Sequence, residues 1–201
     1  MLDMRINLYN YKDVRPFIET GDLLLWSTKD PLSYAIQKVT DSPYSHVSMA
    51  RWDHKRLLHF EANWSGTSYL PVTRTLKKFP ASEVSVFRVR PEIRKKIPQE
   101  DLLSEALRLL DIRYGYLHLL RVAWNTLTEK KFQGFMEDSK NLICSSYMAR
   151  VFKTSTGVPV FGNRMDYVTP GDIAKSPHTE KRFVFTYNAP IKTVMLTTVE
   201  V

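Results

Sequence analysis

Cysteine is nearly absent from this chain of 201 residues; Cys144 is the only one. A single thiol excludes an intrachain disulfide and excludes a cage of thiolates around a metal. Long hydrophobic runs are also missing, and none approaches the roughly 20 residues that cross a bilayer as a helix. The first residues, Met1-Leu2-Asp3-Met4-Arg5-Ile6-Asn7, lack the charged segment and apolar stretch of a signal peptide. The expectation is therefore a cytoplasmic chain, or one delivered by something other than its own signal. Repeats, low-complexity tracts and recognisable linkers are absent too, and aromatic and aliphatic residues recur throughout, which argues against long disorder and for one globular domain over 1–201.

Acidic residues are in the minority. Lys and Arg number 29 against 21 Asp and Glu, a formal net charge of +8. Such a balance favours acidic partners or weak binding to an anionic surface. The clusters Arg94-Lys95-Lys96, Lys77-Lys78 and Lys130-Lys131 are scattered and not interleaved with aromatics, so no specific nucleic-acid binding is expected.

The apolar pattern gives a succession of elements. Gly21-Asp22-Leu23-Leu24-Leu25-Trp26 reads as a buried strand. Asp30-Pro31 starts a short helix, Asp as N-cap and Pro at the first helical position, with Leu32, Ala35, Ile36 and Val39 as its stripe; Ser42-Pro43 ends it. Ser45 to Trp52 and Arg56 to Ala62 read as a hairpin around Asp53-His54-Lys55, and Val84 to Val89 as a further strand. Pro91 and Pro98 bracket a basic connector. Helices are predicted over Gln99–Asp111, Tyr116–Thr126 and Leu142–Lys153, the last stopped by Thr156-Gly157-Val158-Pro159. Arg182 to Tyr187 and Ile191 to Val199 are strand candidates. Strands, then helices, then strands point to an α+β fold with a mostly antiparallel sheet or partial barrel packed with helices.

Three residue types in this pattern can carry chemistry. Cys144 lies at the start of a helix that Asn141 or Ser139 could cap, where unpaired N–H groups and the helix dipole favour a thiolate. A small buried core cysteine is the plain alternative. His46 opens a strand. If Asp53 pairs with Arg56 around a two-residue turn, Ser48 faces Glu61 and His46 faces Asn63. Glu61 is then diagonal to His46 on the same face and within reach of it, whereas a slip of one residue would send it to the other face. Glu61 can thus orient the imidazole, and Asn63 could do the same with its amide. Among the other histidines, His54 falls in a turn, His178 in a polar loop and His118 on a helix. His59 alternates with Glu61 and could share its face, but His46, His59 and Glu61 have no recognised metal-ligand spacing, and no metal or other cofactor is expected.

The order Gly21-Asp22-Leu23-Leu24, Ser42-Pro43-Tyr44-Ser45-His46-Val47, Phe60-Glu61-Ala62 and a helix opened by Cys144-Ser145-Ser146 resembles the circularly permuted NlpC/P60 enzymes. These are the permuted papain-like group that includes the YiiX/YaeF-type proteins. Val168-Thr169-Pro170-Gly171-Asp172-Ile173 is similar to the segment that follows the cysteine helix there, so the resemblance spans roughly residues 21–176. It implies Cys144 as nucleophile, His46 as general base and Glu61 as the polar third member of a thiol hydrolase of the amidase or peptidase type. Tyr44, Tyr114 and Asn63 are candidates for contact with a peptide or acyl-containing substrate. One departure is Ile143, where relatives often carry an aromatic residue before the cysteine. A lipid acyltransferase or thioesterase at a membrane surface, and a non-catalytic virus or phage component, are the alternatives.

Overall fold

Leu23, Leu24, Leu25 and Trp26 are all buried, and they form the centre of the molecule. A strand apolar at every position is what a sheet covered on both faces requires. In the computed structural model, which describes residues 8–63, 66–110, 144–162 and 168–188, this strand is β2 (Leu23–Ser27). The chain order is β1 (Leu8–Asn10), α1 (Tyr11–Val14), a 3₁₀ turn, β2, α2 (Pro31–Val39), β3 (His46–Asp53), β4 (Arg56–Asn63), β5 (Gly66–Pro71), α3 (Val72–Lys78) and β6 (Glu83–Val89). There follow α4 (Pro91–Arg94), α5 (Gln99–Arg108), α6 (Cys144–Thr156), α7 (Pro170–Lys175) and β7 (Thr179–Thr186). The seven strands make one sheet in the order β1-β7-β6-β2-β3-β4-β5. Every pairing is antiparallel except β1 with β7. The fold is α+β, and its sheet is open, with β1 and β5 as the edges.

Each face of the sheet has its own core. Leu23, Leu25, Val47, Met49, Phe60 and Ala62 point to one side, against Tyr147, Met148, Val151 and Phe152 of α6 and Leu102 and Ala106 of α5. Leu24, Trp26, Ala50, Val84 and Val86 point to the other, against Tyr11 and Val14 of α1 and Val72 and Leu76 of α3. Full burial of such side chains stabilises by about 1.5–3 kcal/mol each. Tyr147 Oη also donates to the Ala106 carbonyl at 2.7 Å, tying α6 to α5.

The hairpin has the expected register: Asp53 pairs with Arg56 and Ser48 with Glu61. His54, in the turn, takes a left-handed φ of 51°. Asp30 caps α2 as expected, accepting from the Ser33 N–H at 3.0 Å. Short elements depart from the sequence reading. β5 and α3 lie where no element was predicted, because a polar edge strand ending in Pro and a two-turn helix holding two threonines carry little periodic signal. The basic connector after Pro91 contains the one-turn helix α4. The predicted helix 116–126, the strand 191–199, His118, Tyr114 and the capping candidates Asn141 and Ser139 lie outside the described residues.

Asp22 and Gly171 serve the architecture. Asp22 is fully buried and accepts from Arg88 Nε and Nη2, both at 2.8 Å, and from the Glu19 N–H at 2.7 Å. Gly171 lies so close to Ser42 that a Cβ on it would meet the serine side chain at 2.8 Å. The start of α7 is fixed by a capping box in which Thr169 and Asp172 satisfy each other's backbone N–H.

Candidate active site

His46 is the first residue of β3. Its Nε2 lies 3.1 Å from Oε2 of Glu61. The antiparallel register explains the contact: Glu61 sits opposite Ser48, two residues along the same face, and its side chain reaches diagonally. The other oxygen of Glu61 accepts from Asn63 Nδ2 at 2.7 Å, and the same amide reaches Ser68 Oγ at 3.5 Å. Asn63 therefore holds Glu61, not the imidazole. The Glu61 side chain is 5% exposed and that of His46 is 21%.

Cys144 is the first described residue of α6 and is buried against the opposite core. It hydrogen-bonds to the His46 side chain. With Nε2 facing Glu61, the ring nitrogen left for sulfur is Nδ1. The sulfur also accepts from the backbone N–H groups of Val47 and Ser145. Burial alone would raise the thiol pKa, but the His46 imidazolium and these two donors outweigh it and hold Cys144 below its ordinary value. Burial likewise works against a charge on His46. The thiolate and the Glu61 carboxylate overcome that, and the His46 pKa is raised to about 10. Glu61 is buried, which disfavours its charge, yet its bond to His46, the nearby histidines and Asn63 lower its pKa to about 2. The three groups form one chain, cysteine–histidine–glutamate, in which each side chain favours the charged form of its neighbour.

The surrounding residues set this chain in place. Ser145 Oγ donates to the Val168 carbonyl, which joins the first turn of α6 to the segment before α7. Through Gly171, α7 rests on Ser42, four residues before His46. Behind Glu61, Trp26 Nε1 donates to Ser48 Oγ at 2.9 Å. His59 shares the face of Glu61, as its alternation predicts. Its Nε2 lies 3.0 Å from Thr75 Oγ1, its ring packs on Trp26, and burial lowers its pKa to about 4, so it is neutral at pH 7.

Not every candidate is brought to this point. Tyr44 is a core residue: its hydroxyl lies 3.2 Å from Ser85 Oγ and its ring meets Phe87 edge-on. Its place is structural, beneath the loop that delivers His46. Among the described residues no group of three or more His, Cys, Asp or Glu could hold a metal ion. The donors Val47 N–H and Ser145 N–H escape a reading of side chains because they are backbone groups, although a helix-start cysteine already points to the second.

The fold is α+β, and the candidate site is a cysteine–histidine–glutamate chain whose cysteine lies on α6. No protein-family model matches the chain, and no curated protein matches it by sequence. Its structure is similar to the crystal structure of the metalloprotein YiiX, DUF1105, from Escherichia coli O157:H7. The TM-score is 0.60 at 20% identity, over 82% of this chain and 96% of that one. The likeness extends to the fold.

Proposed function

We propose that the protein is a cysteine-dependent hydrolase of the amidase or peptidase type, with a permuted papain-like architecture of the NlpC/P60 kind. The single observation that carries the reading is His46 bonded at once to Cys144 and to Glu61. In this mechanism the Cys144 thiolate attacks the substrate carbonyl, and the tetrahedral oxyanion is met by backbone N–H groups at the start of α6, that of Cys144 among them. His46 gives its proton to the leaving amine as the C–N bond breaks, leaving an acyl-thioester on Cys144. Water, giving a proton to His46, then hydrolyses the thioester and restores the thiol. Glu61 keeps the imidazole in one orientation throughout and stabilises its charged form.

The word metalloprotein in the name of the YiiX structure raises a metal-dependent reading. The donors here do not fit one: Glu61 commits both oxygens, to His46 and Asn63, and His46 lies between Glu61 and Cys144. No step is assigned to a metal.

Alkylation of Cys144 by iodoacetamide across pH tests the proposal. The thiol is expected to react well below its free pKa of about 8.5, and His46→Ala should remove that low-pH reactivity while the far-UV circular dichroism is kept. Ordinary thiol titration unaffected by the His46 substitution would falsify the mechanism.

A further inference from the structure

His59 is a fully buried titratable group that the proposed chemistry leaves unused. It precedes Glu61 by two residues on β4, on the same face and about 7 Å away along the strand. His46 reaches the same carboxylate from β3, at the Asn63 end. Two imidazoles therefore flank Glu61 on one face, and it bonds to only one of them. The His59 ring is held by other groups. Its Nε2 lies 3.0 Å from Thr75 Oγ1, and it packs on Trp26 with 5.7 Å between ring centroids. Its Nδ1 is buried and has no hydrogen-bond partner. Of the two neutral tautomers, the one with its proton on Nε2 donates to Thr75 and leaves Nδ1 as a bare lone pair. The other buries an N–H without an acceptor, which is the costlier fault. Nδ1 is thus an open proton acceptor inside the core.

The charged groups that act on this ring are few. Glu61 on β4 favours its protonation, and His46 on β3 opposes it. Ala50, opposite His59 on β3, adds only a methyl group. From β2 and β5 the neighbours are Trp26 and Leu70, which carry no charge. From α3, Thr75 meets the ring, while Arg74 and Lys78 of that helix are exposed. The proton balance of His59 is therefore set against the same two side chains that hold Cys144 as a thiolate.

We propose that His59 is a positioning residue with an acid-operated release: neutral, it leaves Glu61 to His46, and protonated at Nδ1 it draws Glu61 away and quenches the Cys144 thiolate. The inference rests on the Cys144–His46–Glu61 reading and adds its regulation. A second cation beside one carboxylate opposes the His46 imidazolium, and the new Nδ1–H finds in Glu61 a charged acceptor. One proton from solvent goes onto Nδ1 of His59, and a second reaches the sulfur by way of His46. No other reactant is needed, and the release reverses when the acid is neutralised.

Two measurements on the full chain test this. The first is the rate of Cys144 alkylation by iodoacetamide as pH is lowered. Reactivity should fall with a midpoint near pH 4, where His59 gains its proton. His59→Gln keeps a donor for Thr75 and cannot titrate, so the midpoint should drop by about one pH unit, a shift that loss of packing would not produce. The second follows the imidazole nitrogens by NMR after 15N-histidine labelling, and needs no substitution at His59. Nδ1 of His59 should be bare at neutral pH, its protonation should coincide with the fall in alkylation, and Glu61→Gln should lower its midpoint. If His59→Gln does not fold, that coincidence decides. A protonated Nδ1 at neutral pH, a His59 titration indifferent to Glu61→Gln, or an alkylation midpoint unmoved in a folded His59→Gln would each overturn the proposal and leave the hydrolase reading in place. Alkylation indifferent to His46→Ala would remove both.

Discussion

At the scale of single residues, Glu61 is the side chain on which the proposed chemistry turns. It is buried, anionic and bonded on one side to His46 and on the other to Asn63. Glu61→Gln keeps the shape and removes the charge. On the proposed mechanism the turnover of a peptide-like amide should fall on the order of 10²–10⁴-fold, the usual weight of such proton-transfer arrangements. The pH at which Cys144 becomes half-alkylated should rise in the same variant, a shift that loss of packing would not produce.

Glu61 also makes stability depend on acid. Its pKa is about 2 in the folded protein against 4.5 in the free side chain. A depressed folded-state value gives stability that is fully present above the unfolded pKa and is lost as pH falls through the folded one. The unfolding free energy should therefore decline between pH 4.5 and about 2, by on the order of 3 kcal/mol from this group. Urea titrations at several pH values would measure it. A Glu61→Gln protein whose acid slope matched that of the wild type would show that the acid sensitivity lies in other carboxylates.

Among elements, the hairpin and the cysteine helix were legible in the sequence for a physical reason. The two-residue turn fixes strand parity, so pairing Asp53 with Arg56 was enough to place Glu61 opposite Ser48 and beside His46. That Cys144 lies on a helix could be read from the apolar spacing that follows it. The contact between helix and hairpin could not, because it joins residues about a hundred apart through tertiary packing alone. Nor could the burial of Tyr44, which depends on Phe87 and Ser85 of β6. The role of α7 was equally hidden, since it rests on the missing side chain of Gly171. Gly171→Ala would drive a methyl to 2.8 Å from Ser42. The expected cost is about 1–3 kcal/mol, read as a lower thermal midpoint, together with slower low-pH alkylation of Cys144 because the segment before His46 shifts. Alanine without effect on either would mean that this contact relaxes freely.

For the molecule as a whole, the sheet is the shared wall of two cores, and the Asp22 cluster locks its centre. Arg88 from β6 and Arg94 from α4 converge on Asp22 beside β2, with Glu19 completing the group. Asp22→Ala would leave the partly buried Arg88 without its main partner. Breaking a buried pair from one side costs about 3–5 kcal/mol. The urea midpoint should fall accordingly with an unchanged slope. A lower slope would mean instead that the two cores no longer unfold together.

The separation between the β3–β4 hairpin and α6 has a consequence for how the protein is made. Histidine and glutamate are brought together by a local hairpin that a growing chain can form early, whereas the cysteine is added about eighty residues later. On the proposed mechanism, until α6 has emerged and docked the nascent chain holds a base and its support with no thiol to activate. Reactivity is thus postponed to the completion of the core, and a ribosome-bound chain ending before residue 144 would be chemically silent toward thiol reagents.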